Sequence, residues 1–243
     1  MIANTKGFVL RTIPYSESSV IAKIFTQHDG LQSFIIKGVR NSKGRNKQNM
    51  LQPLSYIDFT FYQNSKAEIK YIKEIKPAKQ WTSIPYDYTK TSILFFMTEL
   101  LYKTVREEEE NHSMFEHILN SVSTLDEQNE ALANFPIAFM LSTAKHLGIV
   151  PLNNYDTQHT IFSMHEGRFI NDNSLSYAQQ QTLLNKDTSL VLHQYLSTVS
   201  PTPTPPFALR ISVLTALLDY YKIHFNDLRD FQSHLILHEV LQS

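Results

Sequence analysis

The hydrophobic period of this chain changes near residue 80, and this change constrains the fold more than any other feature of the sequence. Before it, short runs rich in β-branched and aromatic residues alternate between apolar and polar positions, as half-buried strands do. After it, apolar residues recur every three or four positions, which indicates amphipathic helices. The pattern predicts a multidomain α+β protein, with a β-domain over residues 1–80 and a helical domain over residues 81–243.

Five strands are predicted in the first domain. They cover about residues 7–13, 19–26, 32–37, 55–62 and 67–75. Ile57, Phe59 and Phe61 alternate with polar or mixed positions, so one side of the fourth strand should face a core. Five short strands with a long connection between the third and the fourth fit a closed barrel such as the OB-fold. An SH3-like or another small five-stranded barrel fits the same pattern.

The second domain is predicted to be all-helical apart from one hairpin. Its helices are expected at about residues 86–106, 113–124, 135–147, 176–185, 189–198, 207–224 and 227–241. Helical periodicity is lost between residues 151 and 175, where 160–164 and 168–170 are typical of two short strands joined by a turn at Gly167. We therefore expect a small hairpin insertion within the helical domain.

Charge divides the chain at the same place. Residues 1–80 contain thirteen Lys and Arg against five Asp and Glu, a net charge of +8, whereas residues 81–243 carry −9 and the whole chain −1. Clustered cations favour polyanions, because each phosphate that they neutralise releases condensed counterions. The β-domain is therefore a candidate nucleic-acid-binding module.

The densest group of cations lies in the long connection between the third and fourth strands. Residues 37–47 contain no acidic residue and five basic ones: Lys37, Arg40, Lys43, Arg45 and Lys47. The glycines, Asn and Ser of this segment keep the backbone mobile and able to offer N–H groups to phosphate oxygens. We interpret the segment as a phosphate clamp, the alternative being a basic surface loop without a partner. Tyr56 and Tyr62 on the fourth strand are candidates for stacking on bases.

No motif supports catalysis or a metal site. The Walker loop, the dinucleotide fingerprint, the zinc-protease motif and the nucleophile elbow are all absent. The chain has no cysteine, which excludes disulfides and thiolate-bound zinc. Four consecutive Glu at 107–110 would point around a helix, and His159 and His165 lack a third ligand. We expect a protein that is not an enzyme and that carries neither cofactor nor metal.

The amino terminus lacks the pattern of a signal peptide, and no run of about 18 apolar residues occurs. The expected location is the cytoplasm, without membrane contact.

Several segments resemble the bacterial RecO family. They are residues 7–19 (GFVLRTIPYSESS), 25–30 (FTQHDG), 37–40 (KGVR) and 51–54 (LQPL), in the same order and spacing. Residues 146–151 (HLGIVP) and the helical text before them resemble the middle domain of that family. The resemblance spans the chain and is most specific in residues 1–80.

The resemblance implies a DNA repair and recombination mediator that responds to DNA damage, located in the cytoplasm at the nucleoid. RecO proteins bind single- and double-stranded DNA, anneal complementary strands and, with RecR, help RecA to replace the single-strand binding protein SSB. The resemblance implies DNA contacts for Arg11 and for the five cations of residues 37–47. It also implies that the SSB C-terminal tail docks on the helical domain, and Lys145 is our candidate for the edge of that site.

Many RecO proteins carry a four-cysteine zinc module after the middle helices. In this cysteine-free chain, residues 151–175 stand in its place, and we expect a metal-free hairpin there.

Two rival hypotheses stay open: a protein-interaction adaptor whose basic barrel binds acidic peptides, and a hydrolase that uses carboxylates of the helical domain.

Overall fold

The computed structural model describes residues 1–41, 44–63, 69–106, 109–130, 132–171, 182–198, 204–225, 228 and 230–240. The chain forms two compact units, Met1–Glu127 and Gln128–Ser243. The first unit contains the β-barrel together with two helices. The functional division predicted at residue 80 thus falls inside this unit and stays a prediction.

Five strands form the barrel. They are β1 (Ile2–Pro14), β2 (Val20–Thr26), β3 (Gly30–Ile36), β4 (Tyr56–Tyr62) and β5 (Lys70–Lys79). The order around the closed sheet is β1-β2-β3-β5-β4, with β4 pairing back onto β1. β3 and β5 run parallel, while the other pairs are antiparallel. This arrangement is an OB-fold, and the predicted fold class is confirmed.

The barrel core follows the predicted alternation of β4. Ile57, Phe59 and Phe61 are at most 2% exposed. Phe34 from β3 meets the rings of Phe59 and Phe61 edge-on, with centroids 5.0 and 5.3 Å apart. Edge-to-face aromatic packing stabilises a small core beyond the area that it buries.

The connection from β3 to β4 is more ordered than the sequence suggests. It contains a five-residue helix, α1 (Arg45–Asn49), where an irregular mobile loop is expected. Gly44 precedes this helix and packs so closely that a Cβ atom there would lie 2.3 Å from the carbonyl oxygens of Gly38 and Val39. The glycine therefore lets α1 approach the turn that follows β3.

Two longer helices complete the first unit, α2 (Tyr88–Thr104) and α3 (His112–Glu127). Both lie close to their predicted positions. The buried carboxylate of Asp126 accepts hydrogen bonds from the backbone N–H groups of Thr82, Ser83 and Ile84 at 2.9, 2.8 and 3.0 Å. Asp126 thereby fixes the segment between the barrel and α2 to the end of α3.

The second unit is helical with one hairpin. Its helices are α4 (Phe135–His146), α5 (Lys186–Ser197), α6 (Phe207–His224) and α7 (Ser233–Val240), and its hairpin pairs β6 (Ile161–Ser163) with β7 (Arg168–Ile170). The helix predicted over 176–185 is wrong in its described part, residues 182–185, where Leu183 bridges to Ser163 instead. Residues 172–181 lie outside the described residues. The last helix is shorter than predicted.

Candidate nucleic-acid interface

Three lysines and two tyrosines surround one cleft on the barrel. The cleft has a volume of about 460 Å³ and is lined by Lys37, Lys47, Tyr62, Tyr71, Ile72 and Lys73. We call it the cationic cleft. Lys37 follows β3 and Lys47 lies on α1, whereas the other lining residues come from β4 and β5. The barrel topology therefore brings two predicted cations beside one predicted stacking residue.

Strand pairing places the two tyrosines side by side. Tyr62 and Tyr71 are partners in the β4–β5 ladder, and their exposed fractions are 49% and 41%. The ammonium of Lys37 lies 5.0 Å from the centroid of the Tyr71 ring. Lys47 Nζ donates a hydrogen bond to the carbonyl oxygen of Lys37 at 3.1 Å. Exposed rings beside ammonium groups can bind a base and a phosphate at the same time.

The lysines of the cleft are largely free of carboxylates. Within the described residues, neither Lys37 nor Lys47 forms an ion pair, whereas Lys73 pairs with Glu74 at 3.9 Å. By contrast, Lys76 pairs with Asp58 at 3.4 Å and Lys79 with Glu127 at 3.9 Å. Lys37 and Lys47 thus keep their charge available for an anionic ligand.

The other predicted cations lie around the cleft or away from it. Arg45 is exposed on α1, and Lys43 lies outside the described residues. Arg40 is exposed and donates to the carbonyl oxygen of Ser16 at 3.0 Å. The Arg11 guanidinium donates to Tyr102 Oη at 3.1 Å and stacks on the Tyr102 ring, so Arg11 is held against α2 and does not line the cleft.

The two predicted stacking residues differ in their surroundings. Tyr56 stacks on Phe8, with centroids 4.7 Å apart, and also meets Phe115 edge-on. Burial, followed by the nearby charges of Glu116 and Asp58, raises the pKa of Tyr56. One face of the Tyr56 ring is therefore occupied, whereas Tyr62 is open in the cleft. Tyr71 was missed as a site residue, because alternation along β5 does not show which residue of β4 it faces.

Comparison with known proteins identifies the family. The family model described as Recombination protein O N terminal matches residues 1–81, and Recombination protein O C terminal matches residues 85–157. A DNA repair protein RecO from Flavobacterium psychrophilum is 32% identical over 243 residues, which cover 99% of both chains. This chain belongs to the RecO family. The RecO protein of Phocaeicola vulgatus is 30% identical over 240 residues, again covering 99% of each chain.

Membership of the RecO family confirms the resemblance seen in the sequence, and with it a place among DNA repair and recombination proteins. The family models end at residue 157, whereas the RecO relatives align along nearly the whole chain. Within the described residues, no helix is long and apolar enough to cross a membrane.

The zinc module of RecO proteins does not fit the residues present here. The chain has no cysteine, and among the described residues no three His, Asp or Glu side chains come together. His159 instead bonds Asp156 at 2.9 Å, and this bond, with backbone N–H groups of residues 158 and 159, lowers the pKa of Asp156 to about 2. The hairpin is held by aromatic packing, since Phe169 contacts both Phe162 and Tyr155.

Lys145, the residue suggested for the SSB tail of RecO proteins, lies near the end of α4 with its side chain exposed. Burial, and next the charge of Lys145, lowers the pKa of the neighbouring His146. The lowered pKa disfavours a second positive charge beside Lys145.

Proposed function

We propose that this RecO-family protein binds single- and double-stranded DNA through the cationic cleft and anneals complementary strands. With RecR, it would help to load RecA onto DNA covered by SSB, in the cytoplasm at the nucleoid. The observation that carries the proposal is the convergence of Lys37, Lys47 and Lys73 on Tyr62 and Tyr71. The mechanism needs no bond to be broken, and therefore no cofactor.

The cleft would bind DNA through two kinds of side chain, lysines and tyrosines. Lysines at its walls neutralise phosphates and release their counterions, while tyrosine rings stack on unpaired bases. Arg40, Lys43 and Arg45, on the same connection as α1, would extend the contact along the backbone. Annealing then follows because two strands that are both screened by the protein repel each other less.

A pair of double variants tests this interface. Lys37→Gln with Lys47→Gln removes two cleft cations but keeps their aliphatic stems. Lys6→Gln with Lys76→Gln is the matched control. Both lysines are exposed, both lie opposite Asp58 in the strand pairing, and neither lines the cleft. The cleft variant should flatten the slope of log affinity against log salt for single-stranded DNA by about 1.4, at about 0.7 per phosphate contact.

The control variant should leave the salt slope nearly unchanged. Equal slopes for the two variants would remove the cleft from the DNA interface. Binding of an acidic peptide tests the adaptor hypothesis. If the cleft variant loses affinity for the peptide as well as for DNA, and the native protein does not anneal strands, the barrel is a peptide-binding module.

We further propose that exposed Lys145 contributes to docking the acidic C-terminal tail of SSB on the second unit. The charge of the exposed Lys145 ammonium supports this, because it attracts a carboxylate-rich tail. Lys145→Glu should weaken binding of a synthetic SSB tail peptide, measured by fluorescence anisotropy, with little effect on DNA binding. Unchanged peptide affinity would place the tail elsewhere.

A further inference from the structure

A second concave surface of the first unit lies beyond the far end of α1. It is a groove of about 540 Å³, and the residues used below are among those that line it: Asn49, Gln52, Lys79, Gln80, Trp81, Tyr86 and Phe95. We call it the aromatic groove. It is distinct from the cationic cleft, with which it shares no lining residue.

The aromatic groove exposes more ring surface than a folded chain usually leaves in water. Tyr86 is 89% exposed and Phe95 is 48% exposed. Trp81 is partly buried, and its indole N–H donates to the carbonyl oxygen of Leu54 at 3.1 Å. Contiguous exposed apolar surface commonly marks a binding site.

The chemistry of the lining restricts the ligand. Among the described residues, no Asp or Glu lines the groove, and the Lys79 ammonium lies 5.2 Å from the centroid of the Trp81 ring. Side-chain amides of Asn49, Gln52 and Gln80 supply donors and acceptors beside the rings. Flat rings with amides beside them match an unpaired nucleobase. Lys79 also contacts Glu127, so the phosphates are assigned to the cationic cleft and not to the groove.

The groove and the DNA interface proposed above meet at α1, to which both contribute a residue. Lys47, which lines the cationic cleft, and Asn49, which lines the groove, lie on the same short helix, two residues apart. At the rise of an α-helix this separation is about 3 Å along the axis. The two side chains are about 200° apart around the axis, so they leave opposite sides of α1, and a strand that passes from the cleft to the groove has to round this short helix.

We propose that the aromatic groove binds unpaired bases of a strand whose phosphates lie on the cationic cleft. The inference rests on the proposed DNA binding and adds strand selectivity to it. Bases of a duplex are stacked and paired, so a duplex can occupy the cleft but not the groove. The groove would then hold a single strand with its bases engaged until a complementary strand replaces these contacts.

Trp81 offers a direct test, because it is the only tryptophan in the chain. Three probes of equal length are compared by tryptophan fluorescence: a thymidine oligonucleotide, the same backbone without bases, and a duplex. The thymidine strand should quench Trp81 emission. The abasic strand and the duplex should bind, as followed by anisotropy of a label, without quenching.

Tyr86→Ala with Phe95→Ala tests the contribution of the rings, and Tyr88→Ala is the matched control because Tyr88 is 72% exposed but does not line the groove. The double variant should lose about fivefold or more in affinity for the thymidine strand, from the stacking of even one base. Its affinity for the duplex and the abasic strand should stay within twofold, and the control should match the native protein.

The outcomes separate the two proposals. If all three probes bind but none quenches Trp81, or if the double variant binds the thymidine strand normally, the groove takes another ligand, such as an apolar protein segment, and the present inference is wrong. If none of the three probes binds, the proposed DNA binding fails and the groove inference fails with it.

Discussion

Lysines on two parts of the same barrel have opposite surroundings. In the cationic cleft, Lys37 and Lys47 have no carboxylate partner within the described residues, and they lie beside exposed tyrosines. Further along β5, Lys76 pairs with Asp58 and Lys79 with Glu127. The count of thirteen Lys and Arg over residues 1–80 therefore overstates the number of cations available to a ligand. What distinguishes the cleft is the partner of each lysine, not their number.

Asp126 is a charged group whose carboxylate accepts several hydrogen bonds. Of the proposed substitutions, its removal should lower the free energy of unfolding the most. Asp126→Ala leaves three backbone N–H groups without their acceptor in a buried place, which costs about 3 kcal/mol or more. Chemical denaturation should show this loss of unfolding free energy. A loss below about 1 kcal/mol would mean that the segment before α2 is held by other contacts.

The pH dependence of stability sharpens the same point. Burial opposes the ionisation of Asp126, but the N–H groups of residues 82, 84 and 83 outweigh it and lower its pKa from 3.8 to about 2. A depressed pKa stabilises the fold above the unfolded value and loses that effect as the pH falls. The native protein should therefore lose about 2 kcal/mol between about pH 5 and about pH 2 through this group. Asp126→Asn should lack this component in a pH series of denaturation curves.

A smaller effect is expected from the backbone that holds Lys47 in the cleft. Gly44→Ala would place a Cβ atom 2.3 Å from two carbonyl oxygens, so α1 must shift, at a cost of about 1–3 kcal/mol. Because α1 carries Lys47, affinity for single-stranded DNA should fall several-fold in a filter-binding assay.

Gly38→Ala is the control for this change. Gly38 lies in the turn that Gly44 approaches, with a φ of +71°, but no atom of the described residues lies within 4 Å of its added Cβ. It should lose about 1 kcal/mol from backbone strain alone and keep its DNA affinity. If Gly44→Ala binds DNA as well as Gly38→Ala does, the position of α1 is unimportant for the cleft.

The sequence predicted the strands better than the site. Alternation in β4 placed Phe59 and Phe61 in the core, and they are there. The cleft depends on which residue of β4 faces which residue of β5, and alternation within one strand does not determine that register. For this reason Tyr62 was found and its ladder partner Tyr71 was not.

The helix α1 and the first residues of β1 were not predicted from the sequence patterns. The helix α1 has five residues, none of them buried, and no side chain caps its start. It therefore shows neither an apolar stripe nor a capping signal. β1 begins five residues earlier than predicted because residues 2–6 pair with β4 although they form no apolar run. Long-range pairing stabilises this extension, and a local pattern does not contain it.

The smallest expected effect on stability and DNA affinity comes from breaking the ion pair between Lys76 and Asp58. In Asp58→Asn, Lys76 loses its carboxylate, but this ion pair is largely exposed at Lys76, and exposed pairs contribute less than about 1 kcal/mol. Stability should change little in thermal denaturation. If Lys76 lies away from the DNA path, freeing it should raise the affinity for single-stranded DNA less than about threefold, through the general gain of one positive charge. A tenfold rise with a steeper salt slope would instead place Lys76 on the DNA path. The carboxylate of Asp58 would then weaken DNA binding by pairing with Lys76.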